Sequence, residues 1–193
     1  MLDLVHDIQT SYRKVLNCMS RPGSIENIAY QIEKVDINID FSKSTLIMMY
    51  MLLDAEVSFK IVSHEEEKIG KLVNQLTYGK YTSLEEADFI FIMKDADEDM
   101  VEQAFKAAKI GDLIDPHKSA TIVVEVEEIN NNKELMLRGP GIKKENYIQV
   151  KVKGDWLGER EKKNIEYPLG IDMILLDEES NVMCLPRTTQ IKK

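Results

Sequence analysis

Apolar residues recur at helical spacing from the start of the chain. Val5, Ile8, Tyr12, Val15, Leu16 and Met19 predict an amphipathic helix over residues 3–19. It stops at Ser20, because Arg21-Pro22-Gly23 steers the preceding backbone toward a turn. Residues 24–41 are mixed, with a short strand and Asn/Asp breaks. A second helix, capped by Ser42 or Ser44, is expected to run to about Ala55. Leu46, Met49, Tyr50 and Leu53 form its main face, while Ile47, Met48, Met51 and Leu52 cover the rest. A helix apolar nearly all round is buried or wedged against a partner, and its methionines fill a core.

Residues 59–62 read as a strand. Ser63-His64-Glu65-Glu66 fits a capping box ahead of Ile69, Leu72, Val73 and Leu76, and Gly79 is the expected stop. Residues 88–93 form a continuous apolar run, the pattern of a strand buried on both faces. Asp95 or Asp97 then caps a helix carrying Met100, Val101, Ala104, Phe105 and Ala108, with Gly111 in the stop position. This alternation predicts a helix-flanked sheet. After residue 110 the pattern changes. Residues 120–126 form a strand, Asn130-Asn131-Asn132 a turn, and residues 135–138 a second strand, together a hairpin. Ile148, Val150 and Val152 alternate with Gln149, Lys151 and Lys153, as in a half-exposed strand. Residues 155–164 suggest a weak helix interrupted by Gly158, and residues 171–176 and 181–185 a final hairpin. With no internal repeat or linker, the expectation is one domain over residues 1–193, α/β with a mixed sheet.

Composition narrows the function. A net charge of −9 with no basic stripe argues against nucleic acid and anionic membranes as partners. Cys18 and Cys184 are far apart without a C-x-x-C, so they read as reduced, packed thiols. The N-terminus lacks a signal-peptide pattern, and the longest apolar run, residues 46–53, is too short to span a membrane, so a cytoplasmic location is expected. His6, His64 and His117 have no ligand spacing and read as surface residues. No P-loop, dinucleotide or hydrolase-elbow motif occurs, so no catalytic residue, metal or cofactor is assigned.

The sharpest chemical pattern lies in the arginines. The chain has five among its 25 basic residues, and three of the five adjoin Pro or Gly in turns. These are Arg21 in Ser20-Arg21-Pro22-Gly23, Arg138 in Leu137-Arg138-Gly139-Pro140-Gly141-Ile142, and Arg187 in Pro186-Arg187-Thr188-Thr189. Arginine presents a rigid five-donor fork suited to carboxylate or phosphate, and turn glycines allow close backbone approach. Arg21, Arg138, Gly139, Gly141, Arg187 and Thr188 are therefore the candidates for an anion site. A rival reading exists for Arg187. Folding residues 171–176 back on residues 182–187 puts Asp172 opposite Pro186 and beside Arg187, where a cross-strand ion pair would pin the hairpin. For Arg21 and Arg138 the rival is bonding to carbonyls freed at helix and strand ends.

Six stretches in order resemble one known family, the H subunit of the phosphonate carbon–phosphorus lyase core (the PhnH family). They are Tyr12-Arg13 through Gly23, Leu52-Leu53-Asp54-Ala55-Glu56-Val57-Ser58-Phe59, Ser119-Ala120-Thr121, Leu137 through Ile142, Tyr167-Pro168-Leu169-Gly170-Ile171-Asp172, and Leu185 through Thr189. The resemblance implies a three-layer α/β/α sandwich with a mixed sheet, similar to the large domain of type I pyridoxal-phosphate transferases but lacking the cofactor's lysine. It implies a homodimer in isolation and assembly with subunits G, I and J, joined by subunit L. That assembly forms α-D-ribose 1-methylphosphonate 5-triphosphate from ATP and methylphosphonate, releasing adenine. With subunit I regarded as the nucleosidase, the implied role of this chain is architectural, with a shared anion site as the alternative.

Overall fold

A computed structural model describes residues 2–193. In chain order its elements are α1 (His6–Ser20), β1 (Glu26–Asn27), α2 (Ala29–Ile32), α3 (Lys43–Leu52), β2 (Ser58–Val62), α4 (Glu66–Thr77), β3 (Lys80–Tyr81) and β4 (Phe89–Ile92). Then come α5 (Glu98–Ala107), β5 (Thr121–Glu125), β6 (Ile129–Arg138), β7 (Asn146–Val150), α6 (Trp156–Lys163), β8 (Asp172–Leu176), β9 (Asn181–Leu185) and β10 (Gln190–Lys192).

Seven strands form the central sheet in the order β1-β9-β8-β5-β4-β2-β3. β3, β2, β4, β5 and β8 run parallel, while β9 returns antiparallel on β8 and β1 pairs antiparallel with β9. Side chains alternate across the sheet as a strand's two-residue period requires. Phe59, Ile61, Phe91, Val123, Ile174 and Leu176 pack on one face with α1, α3 and α4. Ile90, Ile92, Ile122, Val124, Met173 and Leu175 pack on the other with α5, Trp156 of α6 and a second sheet. That second sheet, order β10-β6-β7, is antiparallel. Each fully buried aromatic such as Phe91 contributes about 2 kcal/mol of apolar burial. The α/β class and mixed sheet are as expected.

Several local expectations fail. The proposed hairpin of residues 120–126 with residues 135–138 does not form. β5 is apolar on both faces and takes parallel partners β4 and β8, whereas β6 belongs to the second sheet, with β7 and β10. The asparagines 130–132 lie inside β6 at a register shift rather than in a turn: Asn130 and Asn132 bond to neighbouring side chains there. Gly158 does not interrupt α6, since its N–H donates to the Asp155 side chain in the first turn at 3.2 Å. The capping box before α4 is absent. Ser63 Oγ accepts from Glu65 N at 3.0 Å and donates to Asp95 Oδ2 at 2.8 Å instead. α4 ends on Tyr78 in the left-handed region, ahead of Gly79, and α5 ends at Ala107, well before Gly111. Asp97, of the two candidates, caps α5 by accepting from Met100 N at 3.0 Å. β10 has no counterpart in the sequence reading, because three residues beyond the last arginine turn are too few to show a period.

Candidate functional site

The β8–β9 hairpin places Met173 opposite Leu185, so Asp172 stands across from Pro186 and receives Arg187, as the pairing argument required. The Arg187 guanidinium uses every donor. Nε and Nη2 reach Asp172, the latter at 2.5 Å from Oδ2, Nη2 also bonds Ser119 Oγ, and Nη1 bonds Pro116 O at 3.0 Å and Pro168 O at 3.3 Å. The backbone N–H of Arg187 adds a 2.7 Å bond to Asp172 Oδ1. This cluster ties together the entry to β5, the start of β8, and the loops before each. A saturated fork of this kind is a structural knot.

The three arginine turns do converge, but through their backbones. A Cβ built on Gly141 (φ +82°) would lie 2.2 Å from Ser20 O, and one on Gly139 (φ +146°) would lie 2.8 Å from Thr188 O. The 139–141 turn is thus wedged between the other two, with glycine required at both flanks by conformation and by space. The side chains do not share this convergence. Arg21 is exposed, and Arg138 is exposed and paired with Glu145 at 3.1 Å.

Beside Arg187 opens a cleft of about 700 Å³, lined among others by Pro140, Leu157, Arg160, Tyr167, Thr188 and Thr189. Arg160 is the group the sequence reading missed. It is 3% exposed and in no ion pair among the described residues. Its Nη1 donates to Thr189 O at 3.1 Å and its Nη2 to Pro186 O at 2.6 Å, while Nε has no partner among the described residues. Thr189 Oγ1, buried next to it, is also without a partner. Burial lowers the Arg160 pKa to about 10, against the opposing pull of the Asp172 charge. A sign was available in the sequence. Arg160 follows the sole tryptophan, Trp156, by four residues, so both occupy one helical face, and Trp156 is core.

A family model described as "Bacterial phosphonate metabolism protein (PhnH)" matches residues 1–192. The chain belongs to the PhnH family. Among curated relatives, a protein named C-P lyase subunit protein HtxG from Stutzerimonas stutzeri is 28% identical over 189 residues, covering 95% of this chain and 85% of that one. The alpha-D-ribose 1-methylphosphonate 5-triphosphate synthase subunit PhnH of Rhizobium meliloti (strain 1021) is 26% identical over 196 residues, covering 99% of this chain and 93% of that one. The family match spans all three arginine turns and α6.

Proposed function

We propose that this chain is a subunit of a carbon–phosphorus lyase assembly. With partner subunits it supports formation of α-D-ribose 1-methylphosphonate 5-triphosphate from ATP and methylphosphonate, with release of adenine. The observation that carries this is the end-to-end match to a relative named as a subunit of that synthase. The reading includes a homodimer in isolation, partners equivalent to subunits G, I and J with L joining, a cytoplasmic location, and a sheet of the type found in the large domain of type I pyridoxal-phosphate transferases.

The chain's own role in this reading is architectural. Arg187 holds two loops through Pro116 O and Pro168 O, and those loops carry Ile114, 90% exposed, and Tyr167, 76% exposed. Ile165 and Leu113 are exposed on the same loops. Large apolar side chains grouped this way mark a surface that another protein covers. The test is co-expression of the chain with the partner subunits of its own operon, followed by affinity capture and adenine release from ATP plus methylphosphonate. The expected result is a complex that loses partners when Ile114 and Tyr167 are changed to Ser. Adenine release by the purified chain alone would overturn the architectural role, and failure of the unaltered chain to co-purify would overturn the assembly itself.

A further inference from the structure

We propose that the cleft beside α6 binds an oxyanion carrying an organic group, a phosphonate or phosphate monoester, with Arg160 and Thr189 as its direct partners. The choice of a phosphorus oxyanion rests on the function proposed above; that the site takes an anion rests on the cleft itself.

A guanidinium taken out of water needs both hydrogen-bond acceptors and opposite charge. Arg160 has the first in part and lacks the second. Its acceptors are the carbonyls of Leu185, Pro186 and Thr189, which carry only partial charge. Nε and one hydrogen of Nη1 remain without an acceptor. The Asp172 charge acts on it, but Arg187 already pairs with Asp172, so two cations face one anion. Glu161 and Lys192 also line the cleft, and their formal charges cancel. The local excess is therefore one positive charge, set in a wall that also holds an unpartnered buried hydroxyl, Thr189 Oγ1. An oxyanion offers acceptors to both groups and neutralises the excess.

The size and remaining lining decide what else the ligand carries. About 700 Å³ exceeds a bare oxyanion by far, and Leu157, Ile165, Tyr167 and Leu169 continue the same cleft with apolar and aromatic surface. An organic substituent would lie on that surface while the oxyanion meets Arg160.

The test is calorimetric titration of the purified full chain with inorganic phosphate, methylphosphonate and phenylphosphonate. All three are expected to bind, phenylphosphonate most tightly. Thr189→Val should weaken each about tenfold, and Arg160→Lys, which keeps the charge but loses the fork, by about thirtyfold or more. Of the three affinities, Tyr167→Ala should lower only that for phenylphosphonate. Circular dichroism checks that each variant is folded, and if Arg160→Lys is not, wild type and Thr189→Val decide. No binding at about 20 mM, where even millimolar affinity would register, overturns the proposal, as does unchanged affinity in folded Thr189→Val. Equal affinity for phosphate and phenylphosphonate overturns the organic-group assignment. Co-purification with partner subunits is scored on the same preparations. Assembly without anion binding removes only this inference, and anion binding without assembly removes only the proposed function.

Discussion

Glu125 and Arg160 are charged groups held at opposite ends of the central sheet, and they are satisfied to different degrees. Glu125 ends β5 at the carboxyl end of the parallel strands, the side where open α/β sheets usually place ligands. Its carboxylate accepts from the Thr45 hydroxyl and from Lys94 N at 3.0 Å, in a hollow of about 220 Å³ shared with Lys151 and Lys153. The ammonium of Lys153 is itself spent on Lys94 O and Ala96 O. At the amino end Arg187 has every donor matched, but Arg160 does not, and it borders the larger cleft. The difference teaches that position in the fold is a weaker guide to a site than unfilled bonding capacity. A charge whose donors or acceptors are all matched within the chain holds structure, and one with unmatched groups at a cleft wall is available to a ligand.

Substitutions at the matched and unmatched charges have different expected costs. The largest effect is expected from Asp172→Ala, which strands Arg187 in its partly buried cluster and should cost about 3 kcal/mol in urea unfolding. A loss below about 1 kcal/mol, typical of an exposed pair, would show that the knot holds little. Gly141→Ala should cost about 2 kcal/mol, because the new Cβ meets the Ser20 carbonyl and the backbone is left-handed. Glu125→Gln should cost about 1 kcal/mol by replacing one acceptor with an amide donor opposite Lys94 N. Its pH dependence sharpens the contrast further. Burial raises the Glu125 pKa above its ordinary 4.5, so the native state holds the proton more tightly than the unfolded chain. Wild-type stability from this group falls as pH rises from 4.5 through the folded value, and the deficit of Glu125→Gln should shrink over that window. Urea midpoints measured in parallel from pH 4 to 7 would show it, and a deficit that grows with pH would contradict it. Arg138→Ala is expected to change stability by less than about 0.5 kcal/mol, because its pair with Glu145 is exposed.

Much of the framework was legible in local pattern. The amphipathic helix α1, the largely buried α3 and the doubly buried β4 follow from hydrophobic period, and the Asp172–Arg187 pair follows from hairpin register. The family, too, was readable from six short stretches in order. Where reading failed, the competing cause was nonlocal. β5 and β6 each look like strands, but which sheet each joins depends on partners distant in sequence. The asparagines of β6 look like a turn because their side chains compete locally for backbone bonds, and pairing with β7 overrides that preference.

Local pattern was enough for the type of the strongly periodic elements, among them α1, α3, β4 and β8, for the mixed α/β class, and for the turns at residues 20–23, 139–141 and 186–189, because period and φ restriction act over a few residues. Only the tertiary structure decided that those turns meet through backbone while their arginines part. It alone separated Arg187, with every donor matched, from Arg160, left short of acceptors. Hydrogen-bond saturation is a property of the assembled neighbourhood: Arg160 takes its acceptors from residues 25 to 29 positions away, and no local window contains them.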